Sequence, residues 1–521
     1  MMFELPSDFV GDSNIIRLAL LVALGLAIIV RSTRGHEWRH PVLRKSRAPP
    51  VVSEGYSFLG MLRFFTARDD FCRDAMAATR SGHFSFFCGS HKLIGVSGID
   101  GRRVFYERKE LDLEEAYAAF FTSMPGVCGP QELVGDTGLC FSKWSAKVLV
   151  QMMRDRALAD MLPTLCIDAQ GSIGALLATC HDAEYWSVMD PFDDLYRIFH
   201  LLTMRAFGPS EVTQSPVLLD KTLSLFTQIE AANPPSRIIF PWLPTIERIK
   251  LRSNSQRLYA LFSDAIKSRN TDGQRCRDVV QDLLETTGDE RAVVSFILVT
   301  IFGGLFNGGL HAVYVLVYLA CHPKWYEVVR SEVDAVVSSH RASVSQSRSE
   351  ILAGLKLGEW ETLFPMLNLC LRECIRLHLV GTGFRKNVSD RDVQLGTSGE
   401  VIPPGAFAVY LVGEAHMDPD VYSEPERWDP GRYLPGRAED TKQPLSWLGW
   451  GHGRHPCLGM RFAKLETAIV GAMFIAMFDY HLVDLDGRGM DTVPAVNRNH
   501  HAVSKPDFPI RMRYRTRHSE S

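Results

Sequence analysis

The chain has 521 residues, 46% hydrophobic and 22% charged, and its 57 basic and 60 acidic side chains leave a formal net charge of −3. That composition supports a large buried core, in one very large domain or several ordinary ones, and it lacks the basic excess that a nucleic-acid partner requires. Eleven cysteines, an odd number with no CxxC pair, argue against a disulfide framework and for a reducing compartment.

The first element is an apolar run, "NIIRLALLVALGLAIIV", over residues 14–30. As a helix it reaches about 25 Å, slightly less than the roughly 30 Å of a bilayer core. A cleaved signal peptide carries basic residues before its apolar run. Here Glu4, Asp8 and Asp12 precede it, while Arg31, Arg34, Arg39, Arg44, Lys45 and Arg47 follow. Residues 1–30 therefore read as an N-terminal region with a single transmembrane anchor, and the positive-inside rule puts the bulk of the chain in the cytosol. Residues 31–50 form a basic hinge ending in Pro49 and Pro50, and residues 51–521 form the folded domain.

Residues 157–177 and 218–231 carry helical patterning. The proline-punctuated stretch 233–249, "NPPSRIIFPWLPTIERI", reads as a packed loop or as a membrane-facing substrate entrance. Strand-like runs are few and late, at 393–412 and in the terminal "FPIRMRYR". The fold class is mainly α with minor β in the C-terminal half.

The most apolar internal segment, residues 292–320, is long enough to cross a membrane. It also carries Gly303, Gly304, Gly308 and Gly309 around Asn307. Each mid-helix glycine costs about 1 kcal/mol against alanine, a cost explained if a bulky group lies flat on the helix. Asn307 is a poor lipid-facing residue, so a helix buried in a large core is the preferred reading.

"LRECIRLH" puts Glu373 and Arg376 on one helix face, where an exposed ion pair is the plain interpretation. The later run "YSEPERWDPGRYLPG" offers Arg427 or Arg432 to extend that pair into a buried network. Next comes "SWLGWGHGRHPCLGMRFAKLE", with Cys457 behind a glycine- and histidine-rich loop. A zinc site built on His452, His455 and Cys457 lacks a fourth ligand, and covalent haem attachment through CxxCH is absent. An inert buried thiol leaves the glycines unexplained. A thiolate cofactor ligand accounts for them: the backbone turns tightly and offers N–H groups to sulfur, ahead of a helix N-terminus.

These motifs, in this order, resemble the cytochrome P450 family over residues 40–515. "WGHGRHPCLG" is similar to its FxxGxRxCxG signature, with Trp450 for Phe and His455 for Arg, and "ECIR" and "PGRY" match its ExxR and PERF elements. The resemblance implies one large helical domain holding haem b, with Cys457 as axial ligand and His455 and Arg385 as propionate anchors. It also implies a structural triad of Glu373, Arg376 and Arg432. The WxxxR element is incomplete: Val148 stands four after Trp144, and Lys147 is the nearest basic substitute. On the distal helix the family's (A/G)Gx(D/E)T proton relay is replaced by "GGLFN", leaving Phe306 and Asn307 as the catalytic-side residues. Phe306 cannot relay a proton. Asn307 orients water, or only caps a local helix distortion.

The expected activity is haem-thiolate monooxygenation of a lipophilic terpenoid, sterol or polyketide, as in fungal secondary metabolism. NADPH acts indirectly, through NADPH-cytochrome P450 reductase. The expected location is the endoplasmic reticulum membrane, single-pass, with the catalytic domain facing the cytosol. Phe306 and the 492–502 turn are expected to line the substrate cavity. The missing acid–alcohol pair also fits a reductase-independent isomerase or dehydratase acting on a lipid peroxide, and a non-enzymatic haem carrier or sensor is the third reading.

Overall fold

Along Asp155–Ala178 the buried side chains Leu158, Leu162, Leu165, Ala169 and Ile173 recur at helical spacing, which places one apolar stripe against the core. A computed structural model describes residues 47–53, 61–89, 91–120, 127–180, 186–231, 245–272 and 276–517. The expected anchor at 14–30, residues 31–46 of the basic hinge and most of the 233–249 stretch lie outside the described residues. Helix predominates throughout, as the patterning predicts.

The 292–320 segment becomes the central helix, running Glu290–Gly304, then a π-helical turn Leu305–Gly309, then Leu310–Cys321. The Asp289 side chain caps its start by accepting from the Ala292 N–H. Most of its side chains are buried in the protein core, which suits a helix apolar on every side.

Strands are not confined to the C-terminal half. The main five-stranded sheet begins with an early antiparallel hairpin, Phe84–Cys88 and His91–Val96. The second of these pairs in parallel with Phe407–Leu411, which pairs with Thr382–Asn387, which in turn pairs with Leu111–Asp112. The early hairpin was not legible because "FSFFC" is buried almost throughout, so it lacks the alternation of a half-exposed strand. "RMRYRT" does form a strand, Arg511–Thr516, between Phe478–Val483 and Ser187–Met189.

A buried ionic cluster fixes the C-terminal loops. Arg376 donates from Nε and Nη2 to the two oxygens of Glu373 at 2.8 Å each, a bidentate pair within one helix, Pro365–His378. Arg432 donates Nε to Glu373 at 3.0 Å, and the Tyr433 hydroxyl and the Asp429 N–H add two more donors. Glu439 then balances Arg432 at 2.9 Å. Arg427, the other candidate, is exposed and pairs with Glu424; only its carbonyl joins the network. Arg376 Nη1 also donates to the His416 carbonyl at 2.7 Å, and His416 Nε2 accepts from the Leu448 N–H at 2.9 Å. The helix is thereby tied to the start of the cysteine loop.

Removing one partner strands a buried charge, so Arg432→Ala should lower stability by about 3–5 kcal/mol in chemical denaturation. Arg427→Ala should stay within about 0.5 kcal/mol.

Burial pushes the Glu439 carboxyl up, but hydrogen bonds from Arg437, Arg432 and Ser423 outweigh it and hold the group at about 2. A carboxyl depressed in the folded state contributes stability above its unfolded pKa and loses it as pH falls towards the folded one. Acid titration of the melting temperature should therefore show a loss between the ordinary carboxylate range and about pH 2, reduced in Glu439→Gln.

Candidate active site

The cysteine loop is shaped by two glycines in the left-handed region, Gly451 at φ 67° and Gly453 at φ 64°. A Cβ on Gly451 would stand 2.6 Å from the His455 carbonyl oxygen, and one on Gly453 would stand 2.5 Å from that of Tyr106. No other residue fits that approach. The Cys457 N–H closes the loop onto the Trp450 carbonyl at 2.7 Å.

Burial pushes the Cys457 thiol up, while the backbone N–H groups of Gly459 and Met460 donate to its sulfur and pull it back. Of the loop's glycines Gly459, the N-cap of the helix Met460–Met477, thus donates to sulfur, while Gly451 and Gly453 turn the chain. Cys457 is exposed, whereas the other ten cysteines are buried or half-buried, and all eleven are free thiols.

The central helix is packed on nearly every side, yet Val299, Gly303 and Asn307 are exposed. They recur every fourth residue and so form one stripe. A Cβ on Gly303 would meet nothing within 4 Å. The other glycines do not face that space: Gly304 approaches Thr203, Gly308 approaches Glu466 and Ala463, and Gly309 approaches Tyr196. The expectation that all four admit a bulky group is corrected to Gly303 alone, because the rest allow the central helix to pack closely on its neighbours.

Asn307 lies in the π turn, with Nδ2 directed to the Gly303 carbonyl at 3.4 Å. It therefore sits at a helix distortion and also faces the open stripe. Phe306 is half-buried and packs on the core. In the 492–502 turn, the His501 carbonyl abuts Gly381, and Asn499 bonds to Asp70 at 2.9 Å.

Arg385, on the strand Thr382–Asn387, is buried against the Phe105 ring, 4.6 Å from its centroid. Its Nη1 donates to the Phe384 carbonyl, but Nε has no partner, and no described carboxylate pairs with it. Burial pulls its guanidinium below the ordinary value. His455 is pulled down by burial and then by the nearby Arg385 charge. An unpaired buried guanidinium beside an imidazole is a strong anion subsite. Lys147, by contrast, is exposed on the helix Phe141–Met152, while Trp144 packs on Phe296.

The zinc alternative gathers no ligands. His452 is exposed, 3.9 Å from Glu107, and among the described residues no cluster of potential metal ligands includes Cys457. The one such group among the described residues, Glu211, Cys276 and Asp278, is occupied by Arg269, which pairs with both carboxylates.

These residues fit a haem. The sulfur accepts from two N–H groups, and the buried Arg385 charge beside His455 would suit a propionate. Sequence reading missed His416 and Glu439, since neither lies in a recognisable motif; only an acid seven residues beyond Arg432 hinted at the second.

The chain matches the cytochrome P450 family over residues 72–495. It is 29% identical over 446 residues to cytochrome P450 monooxygenase AacuE of Aspergillus aculeatus, covering 85% of this chain and 88% of that one. Against cytochrome P450 monooxygenase nsrP of Aspergillus novofumigatus it is 27% identical, with 94% of each covered. Obtusifoliol 14-alpha demethylase of Sorghum bicolor is 24% identical over 89% of this chain and 90% of its own. The retinoic acid-bound cyanobacterial CYP120A1 structure shares the fold, with a TM-score of 0.68 at 22% identity over 90% of this chain and 99% of that one.

If Arg385 anchors the cofactor, Arg385→Met should release haem faster to a haem-scavenging globin, and Lys147→Ala should not change the rate.

Proposed function

The chain belongs to the cytochrome P450 family and is an oxidoreductase of the monooxygenase type, and from that premise we propose that it hydroxylates or epoxidises a lipophilic small molecule with reductase-delivered electrons. Cys457, an exposed thiol whose sulfur accepts from two backbone N–H groups at the start of a helix, carries this reading. The family's cofactor, haem held by a thiolate, supplies dioxygen activation when bound, the thiolate favouring O–O cleavage.

The chain's own residues divide the remaining work. Cys457 holds the iron, and the Gly459 and Met460 N–H groups temper the basicity of its sulfur. Arg385 and His455 bind the propionates by charge-assisted hydrogen bonds. Glu373, Arg376 and Arg432 act through the loops they fix and touch no substrate. Val299 and Gly303 leave room for an apolar substrate, and Asn307 presents an amide that orients water without itself supplying a proton. Lys147 is exposed and has at most a peripheral part.

The substrate class we favour is a terpenoid, sterol or polyketide of secondary metabolism. Relatives named as fungal monooxygenases and as obtusifoliol demethylase support that range. We place the enzyme at the endoplasmic reticulum membrane, anchored by residues 14–30, with the domain from residue 51 in the cytosol and NADPH-cytochrome P450 reductase as partner.

The reduced carbon-monoxide difference spectrum of wild type should carry the thiolate signature, and Cys457→Ser should lose it. Product formation should require both NADPH and reductase. Turnover of a lipid peroxide without either would instead support the isomerase reading, which the Phe306–Asn307 pair motivates.

A further inference from the structure

Behind Asn307 the central helix leads into a run of oxidisable rings. Tyr314 follows Asn307 by seven residues, two turns or about 10.5 Å further along the same side of the helix. Its ring stacks on the His378 imidazole, with centroids 3.6 Å apart. One turn on, the Tyr318 hydroxyl is hydrogen-bonded to His378 Nε2 at 3.0 Å. The Tyr318 ring lies parallel to Trp428, at 5.2 Å and 6°. Trp428 meets Trp325 at 6.5 Å, and Trp325 is half-exposed.

We propose that Tyr318, hydrogen-bonded to His378 and stacked on Trp428, is a redox relay that drains oxidising equivalents from the active site to the surface at Trp325. The proposal rests on the haem-thiolate reading above.

The chemistry singles out Tyr318. A buried phenol that loses an electron must also lose its proton, because a bare cation in low dielectric is prohibitive. Burial holds His378 well below its ordinary pKa, which favours the neutral imidazole, and in the Nδ1–H tautomer its Nε2 accepts the Tyr318 proton. Tyr314 lacks such a base: its hydroxyl donates to the Ser504 carbonyl at 2.7 Å, which takes up no proton.

In the forward step one electron passes from Tyr318 to the oxidised haem site, and the phenolic proton moves from Oη to His378 Nε2. Trp428 then returns one electron to the tyrosyl group, and His378 returns the proton. A small external reductant, a thiol or ascorbate, supplies the electron to Trp428 through Trp325 and is itself oxidised by one electron. The net result is one electron delivered to the haem site, with the protein restored.

The test uses the full-length holoenzyme, its thiolate spectrum verified, without substrate or NADPH. It is mixed with hydrogen peroxide, freeze-quenched and read by electron paramagnetic resonance. A tyrosyl signal is expected in wild type and in Tyr314→Phe, and its loss in Tyr318→Phe. In Trp428→Phe the signal should form but decay more slowly with ascorbate. An unchanged signal in Tyr318→Phe, or no tyrosyl signal in wild type with an intact thiolate spectrum, overturns the relay alone. Absence of the thiolate spectrum overturns the haem reading and the relay together.

Discussion

The carboxylate of Glu373, held between two guanidinium groups inside the protein, is the contact on which the placement of the site depends. Burying these ions is costly, and the geometry offsets the cost only because nearly every lone pair and donor is used. Arg376 and Arg432 share Glu373, while Glu439 and several carbonyls take the remaining Arg432 protons. Arg437 joins through Glu439 and pairs in turn with Asp429, so three arginines balance three carboxylates. Its reach to the Leu448 N–H through His416 turns a local ion pair into a brace for the cysteine loop.

From that brace the loop runs to Cys457 through two left-handed glycines, and the sulfur then meets the N-terminus of a helix. The opposite wall is unusual in chemistry rather than in shape. The π turn at Leu305–Gly309 presents an amide where the family's relay has an alcohol, and an aromatic ring where it has an acid. Glycines that look like space for a cofactor mostly serve helix packing, and Gly303 alone faces open space. Behind this wall the protein is rich in stacked rings, with His378 joining Tyr314 and Tyr318 to the helix that carries Glu373.

Local sequence identified elements wherever one short stretch contained the physical cause. The helical stripes, the apolar central helix and the cysteine loop were legible because spacing and composition within about twenty residues determine them. The early hairpin at 84–96 was not, because a strand buried almost throughout has no alternation to read. Arg385 and His455 were named by resemblance, but that Arg385 is a buried charge with an unpartnered Nε is a fact of packing.

By itself the sequence determined the chemistry on offer: a single thiol in a turning loop, an ExxR pair, and a distal helix without an acid or alcohol at the usual places. Tertiary structure decided which partners those groups meet. It selected Arg432 over Arg427, recruited His416 and Glu439, turned three of four glycines towards protein, and set Tyr318 against His378 and Trp428. Each of those outcomes joins residues that local spacing does not bring together. Burial then sets their charge and hydrogen bonding, and burial is a property of the assembled chain.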